Sequence, residues 1–306
     1  MKHYYSLNDY LIEKFGTKVY KIALNGNMSC PNRDGSIGHK GCIFCSAGGS
    51  GDFAGNPSRT ITEQIETGKE LLSAKYFGNS YIAYFQAYTN TYAPVDYLRK
   101  IFTEAILHPD IVCLSIATRP DCINEEIISL LSELNAVKPV WIELGLQTIH
   151  PSTASYIRRG YELDVFDRAM TLLNAAGIET IIHMIIGLPG EDKKMILETA
   201  DYIANSGAKG IKLQLLHVLK NTDLATDYMQ NKFNVLSLEE YLDILMDIIR
   251  ILPPDMVIHR LTGDGPKKIL IAPQWSGNKR NVLNTINRTF SRENVFQGMN
   301  HKESKG

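Results

Sequence analysis

Thr180-Ile181-Ile182-His183-Met184-Ile185-Ile186, followed by Gly187-Leu188-Pro189-Gly190-Glu191, is the stretch that decides the architecture. A single polar residue interrupts an apolar run, so the strand it forms is covered on both faces, as strands of parallel sheets are. Gly187-Leu188-Pro189-Gly190 reads as a strand-to-helix turn, and Lys193–Ser206 beyond it has helical periodicity. The same alternation recurs on both sides. Tyr81–Phe85, Ile111–Ala117, Val140–Leu146 and Gly210–Leu216 read as strands, and Val95–Leu107, Asn124–Leu134 and Asp164–Ala176 as helices. Val19–Leu24 and Ile61–Lys75 supply a first strand and helix, which makes six β/α units. Alternation of this kind implies parallel strands with right-handed crossovers, in a doubly wound sheet or an incomplete (β/α) barrel.

Boundary signals agree. Asn174-Ala175-Ala176-Gly177 and Asn205-Ser206-Gly207 look like helix ends with glycine in the left-handed region. Ser237 is the expected N-cap of a helix over Leu238–Ile251, which Pro253-Pro254 closes. Val257–Leu261 is a candidate further strand. From Asn278 on the chain turns polar and ends in an expected loose tail, His301–Gly306.

The 306 residues are 44% hydrophobic, enough for a sizeable core, and the formal net charge is -1. A strongly basic whole, the mark of many nucleic-acid binders, is absent, so any RNA contact needs a local basic patch. No apolar run approaches the roughly 20 residues of a membrane span. No signal-peptide pattern opens the chain, and a cytoplasmic location is expected.

Five cysteines are present, and three fall within sixteen residues: Cys30-x11-Cys42-x2-Cys45. An odd, clustered set without an export signal points to metal or redox chemistry rather than a disulfide framework. The intervening loop, Pro31 to Gly41, holds three glycines and a proline and can return both ends to one point. Three thiolates on a four-iron cluster leave one iron open to a ligand; the spacing alone also allows a zinc knuckle with His39 as fourth ligand. Cys113 and Cys122 read as small buried hydrophobes.

Cys30-Pro31-Asn32-Arg33-Asp34-Gly35, Gly41-Cys42-Ile43-Phe44-Cys45 and Phe85-Gln86-Ala87-Tyr88-Thr89-Asn90-Thr91-Tyr92-Ala93-Pro94 resemble the radical S-adenosylmethionine (SAM) superfamily. Within it, the long first cysteine spacing resembles the subgroup of the Elongator catalytic subunit and, more specifically, the bacterial YtqA/YhcC family. The likeness spans roughly Tyr4 to Trp275. It implies an incomplete (β/α)6 TIM-like barrel over 18–220. A short N-terminal extension covers 1–17, and a C-terminal extension over 221–306 closes the barrel mouth. It also implies a [4Fe–4S] cluster on Cys30, Cys42 and Cys45, SAM on the open iron, and a 5′-deoxyadenosyl radical formed on reduction. An electron donor such as flavodoxin or ferredoxin is then required.

By the same resemblance Phe44 packs near the adenine, and Gln86, Tyr88 and Thr89 occupy the strand end that meets the SAM amino group. Most relatives carry glycine there, and this chain has none. Gln147 and His183 are expected at SAM, and Arg159 at its carboxylate, because a guanidinium grips a carboxylate in two places. Some relatives have a ribose-binding Glu where this chain has Ala117. Glu143 is either a substrate contact or a buried acid paired with Arg119 or Arg159. Lys212 and Gln214 share one strand face and, with His259, are further candidates for substrate contact. Trp275, Lys279 and Arg280 are a candidate base-stacking and phosphate-pairing group.

The kinship implies chemistry on tRNA, at the C5 side chain of the wobble uridine. The alternatives are a radical SAM enzyme for a small molecule and a non-catalytic zinc- or iron–sulfur-stabilised nucleic-acid-binding protein. The chain is too short for an added acetyltransferase domain, so acetyl transfer is not expected.

Overall fold

The structure, a computed structural model, describes residues 2–49, 51, 54–74, 76, 78–263, 265 and 267–301. Lys75, at the expected end of the first helix, Asp264, and the expected tail beyond His301 lie outside these residues.

Seven parallel strands form one sheet in the order β1 (Tyr20–Leu24), β2 (Tyr81–Phe85), β3 (Ile111–Thr118), β4 (Val140–Gln147), β5 (Glu179–Ile186), β6 (Gly210–Leu215) and β8 (Val257–Arg260). Lys21 on β1 and Lys212 on β6 both reach Glu143 on β4, so the sheet curls into a half-barrel with β1 and β8 as its open edges. Helices α2 (Ile61–Leu72), α3 (Val95–Leu107), α4 (Glu125–Asn135), α6 (Leu163–Ala175), α7 (Lys193–Ala204) and α9 (Leu238–Ile251) cover its outer face. Capping boxes at Thr60 and Ser237 and an Asn124 N-cap open α2, α9 and α4.

Strand parity sorts the residues. Odd positions of β4 and even positions of β6 point inward, while Ile142, Leu144, Leu146, Ile211 and Leu213 join the outer core. The interior has layers. At its foot Ile82, Cys113, Trp141, Ile181 and Val257 pack with Tyr10 and Leu11 of α1 (Leu7–Phe15). That helix, on the segment expected to be a mere extension, plugs the barrel floor, tied by Tyr10 Oη to Glu179 Oε2 at 2.5 Å. Cys113 lies there, wholly buried, as a small hydrophobe.

The seventh strand comes from beyond residue 220, so the C-terminal segment completes the sheet as well as crossing its mouth. There β7 (Val218–Leu219) pairs antiparallel with β9 (Leu270–Ala272). Two short helices, α5 (Pro151–Tyr156) and α8 (Asp223–Met229), were not expected. Nor was α10 (Lys279–Arg292), in the segment read only as polar. Its composition is polar, but Val282, Ile286, Thr289 and Phe290 recur at helical spacing and are buried. Trp275, a candidate for base stacking, instead donates its indole N–H to the Leu236 carbonyl at 3.0 Å and packs on Tyr241.

Candidate active site

The thiols sit on the loop that follows β1. Turns within it fold the eleven-residue insert onto itself: Arg33 N bonds Cys30 O at 2.7 Å, Ile37 N bonds Pro31 O at 2.8 Å, and Gly41 N bonds Asn32 O at 2.7 Å. Gly41 has φ +72°, a conformation that a side chain would strain. Cys45 N closes a turn on Cys42 O at 3.0 Å. All three cysteines are free thiols, half-buried, and face one cleft. Asn32 Nδ2 approaches Cys42 Sγ at 3.6 Å. Burial, then the neighbouring Cys45 and Cys30, push the Cys42 thiol up to about 11.

The donor set fits an iron–sulfur cluster. A single tetrahedral zinc holds its sulfurs about 3.8 Å apart. Among the described residues, one trio of His, Cys, Asp and Glu ligand atoms falls within 4.8 Å of one another, namely Glu66, His108 and Asp110, so the loop sulfurs are spread more widely. That trio is bridged by the Lys69 ammonium, at 2.9 Å from Glu66 and 2.5 Å from Asp110.

Strand ends surround the loop. Tyr88 has φ +61°; its N–H bonds Gly49 O at 2.9 Å and its hydroxyl Ala47 O at 2.8 Å. Thr89, fully buried, donates its N–H to Ser29 O at 3.2 Å. Asn90 bridges the ends of β2 and β3 through Phe85 O and Ala117 O. The glycine-free motif therefore fastens the thiol loop to the barrel rim. Phe44, Gln86 and Gln147 line the cleft beside the thiols, and Gln147 is set there by φ +65° at a bulge between Gly145 and Gln147.

Arg159 departs from expectation. It is 2% exposed, and four of its five N–H groups go to the carbonyls of Tyr161, Leu146 and Thr148. At most one N–H is left over, short of the two that a two-point grip on a carboxylate needs, and Arg159 shapes the end of β4 where it lines the thiol cleft. Arg158 pairs with Asp223 at 2.7 Å.

Below the thiols lies an ionic layer. Glu143, with no exposed surface, meets Lys21 Nζ at 2.6 Å, His183 Nε2 at 2.9 Å, Ser115 Oγ at 2.9 Å, and the Lys212 ammonium. Its partners are thus neither Arg119, which binds Asp121, nor Arg159. Gln214 Nε2 lies 3.3 Å from His183 Nδ1, and Lys212 also contacts Tyr84. His259 stands edge-on to Trp141, one layer deeper than the thiols, with Nδ1 buried and without a hydrogen-bond partner. His183, Lys212, Gln214 and His259 all line the wider part of the cleft, about 2380 Å³ including its open mouth. Lys21, Arg260, Lys267 and Lys268 also line that part, four basic side chains beside Lys212.

Burial alone would raise the Glu143 carboxyl, but Lys21, Lys212 and His183 outweigh it and hold it well below the usual range. Burial, helped by Lys21 and Arg260, draws Lys212 down to about 7 against the pull of Glu143. Burial and Lys212 draw His183 down to about 4. A neutral His183 in the fold that protonates near 6.5 when unfolded means the unfolded chain binds more protons between those values. Stability is therefore lost as pH falls from about 6.5 towards 4. Thermal midpoints should drop by several degrees over that window, and His183→Gln should flatten the profile.

The sequence reading missed Lys21, Ser115, Tyr84, Asn32 and Arg33 as site residues. Lys21 carried a signal, a lone cation between Val19 and Ala23 on one face of a strand. Arg33 and Asn32 carried none beyond their place in the loop.

The radical SAM superfamily matches residues 34–203, and the Radical_SAM C-terminal domain matches residues 208–292. YtqA of Bacillus subtilis (strain 168) is 45% identical over 297 residues, 97% of this chain and 92% of its own length. The tRNA uridine(34) acetyltransferase of Methanocaldococcus jannaschii is 26% identical over 167 residues, 52% of this chain but 30% of that protein. In structure, Elp3 of Methanocaldococcus infernus with an N-terminal deletion matches at a TM-score of 0.67 and 16% identity, over 91% of this chain and 64% of its own. That likeness is one of fold. No helix among the described residues is long and apolar enough to cross a membrane.

Proposed function

The chain belongs to the radical SAM superfamily, in the YtqA/YhcC family, and from that premise we propose that it remodels the C5 side chain of the wobble uridine in tRNA. Enzymes of the superfamily use a [4Fe–4S] cluster and SAM. When bound, this pair supplies hydrogen-atom abstraction by an adenosyl radical after one-electron reduction.

This chain's residues do the rest. Cys30, Cys42 and Cys45 hold the cluster. Phe44 would pack on the adenosine, while Gln86, Tyr88, Thr89 and Gln147, which line the cleft at the strand ends, would set the cofactor's place. His183 and Gln214 offer hydrogen bonds from the cleft wall, His183 kept neutral and oriented by Glu143. Glu143 anchors Lys212 facing the substrate. The α1 plug below and the β7–β9 pair at the mouth keep water from the reacting centre. The electron comes from a small redox protein such as flavodoxin or ferredoxin.

One observation carries the tRNA reading: the thiol opening is continuous with a cleft whose cationic lining runs outward to the exposed Lys267 and Lys268. Such a lining suits a phosphodiester backbone delivering a base inward. The partial likeness to a tRNA uridine(34) acetyltransferase supports the same substrate class. Incubation of the reconstituted protein with undermodified tRNA, SAM and reductant should change the mass of the wobble nucleoside and release 5′-deoxyadenosine. Release of 5′-deoxyadenosine with unchanged wobble nucleosides would overturn the tRNA reading in favour of a small-molecule substrate.

A further inference from the structure

An eleven-residue gap between the first two cysteines leaves the first thiol poorly tethered to the other two unless something crosses the loop. Arg33 does so. It stands three residues after Cys30, and its Nη2 donates to Cys45 O at 3.2 Å and Ser46 O at 2.5 Å. Its stem lies over Gly41, where an added Cβ would come within 2.8 Å of Arg33 Nε. The guanidinium sits 5.7 Å from the centre of the Tyr88 ring, on the wall of the same cleft as the thiols. One side chain thus touches the backbone beside Cys42, the backbone of Cys45, and the aromatic rim.

Two of the arginines that line the thiol cleft, Arg33 and Arg119, differ in net charge. Arg119 is locked two-point onto Asp121, Nε to Oδ1 at 2.9 Å and Nη2 to Oδ2 at 2.7 Å, so its field at the cluster is largely cancelled. Arg33 Nη2 donates to two carbonyl oxygens, and among the described residues no carboxylate pairs with the guanidinium, so its unit charge stays in place. The guanidinium is bonded to the backbone of Cys45 and lines the same cleft as Cys30 and Cys45.

A cluster held by three thiolates becomes one charge more negative when it accepts its electron. A fixed cation beside two of those sulfurs favours the reduced form, and charge and hydrogen bonding at the sulfurs are the protein's main levers on potential. We infer that Arg33 raises the reduction potential of the cluster on Cys30, Cys42 and Cys45, as a positioning residue that also braces the long loop. The inference rests on the radical SAM reading and concerns how readily the enzyme is switched on by its donor. It is independent of which substrate is modified.

The test is a redox titration of anaerobically reconstituted protein, read by electron paramagnetic resonance with SAM absent. Spin quantitation counts only chains that carry a cluster, so incomplete loading of a variant does not hide its potential. At the poise where the parent is half reduced, R33Q should have its reduced-to-oxidised ratio lowered about tenfold, a midpoint 59 mV more negative for a one-electron couple. R33K keeps the charge and loses the fork, and should stay within threefold of the parent. A midpoint for R33Q equal to the parent's, or an R33K shift as large as that of R33Q, would overturn the inference. A parent chain that takes up no iron would instead overturn the cluster reading beneath it, whereas a loaded, normally tuned parent inactive on tRNA bears only on the substrate.

Discussion

Cys42→Ala should lose the iron–sulfur centre and, with it, SAM cleavage should fall to background, while the fold survives. The physical argument has two halves. Cys42 joins Cys45 through a tight turn and joins Cys30 only through the folded insert, so removing its sulfur breaks the set at the point where the two halves meet. Two remaining thiolates are too few for a four-iron cluster that already leaves one iron to the cofactor. The packing cost of trimming one sulfur atom is small, on the order of 1 kcal/mol, because Cys42 lies on a half-buried loop rather than in the outer core. Iron and sulfide analysis of anaerobically purified protein checks this, with Cys113→Ala as the comparison: Cys113 packs in the floor layer and should leave iron content unchanged. Full iron content in Cys42→Ala would remove the present assignment of ligands.

The second large effect is on stability. Glu143→Gln keeps the shape of a wholly buried side chain and deletes its charge. It leaves Lys21 and Lys212 facing one another across a layer with no other carboxylate bonded to them among the described residues. Breaking a buried ion pair from one side costs about 3–5 kcal/mol, because the partner's charge stays buried without compensation. At roughly 2–4 °C per kcal/mol the melting temperature should fall by about 6–20 °C. Adding Lys212→Met should recover part of the loss, since it removes one of the stranded cations. A melt of Glu143→Gln that coincides with the parent's would show that the ionic layer is not a structural keystone. The pairing explains why the barrel tolerates a charged layer: Glu143 holds Lys212, His183 and Lys21 in fixed positions, which a substrate site needs.

Much of this was legible from local patterns. Each of the seven strands of the parallel sheet fell within a residue or so of its expected place, while β7 and β9 were not expected, because a covered parallel strand announces itself through a dense apolar run bounded by turn residues. The thiol trio was legible because a metal centre demands sulfurs at short spacing. The N-terminal helix α1 was not, since nothing in Leu7–Phe15 distinguishes a barrel plug from a surface helix until the barrel has a floor to fill. The stripe on α10 was hidden by its polar composition. Arg159 stands apart for a different reason. Its place in the chain matched a carboxylate-binding position, but the strand end folds so that three carbonyls converge on the guanidinium first.

What the sequence alone determined was what repeats over a few residues: the order of the sheet strands and the helices between them, the parallel sheet, the cysteine loop, and which residues share a strand face. Only the tertiary structure decided who meets whom across the barrel. Glu143 could have found any of several cations, and it took Lys21 from the first strand and Lys212 from the sixth. Those partners lie 122 and 69 residues away in the chain. Their meeting depends on the curl and stagger of seven strands, which are properties of the assembled sheet and leave no mark on any one segment.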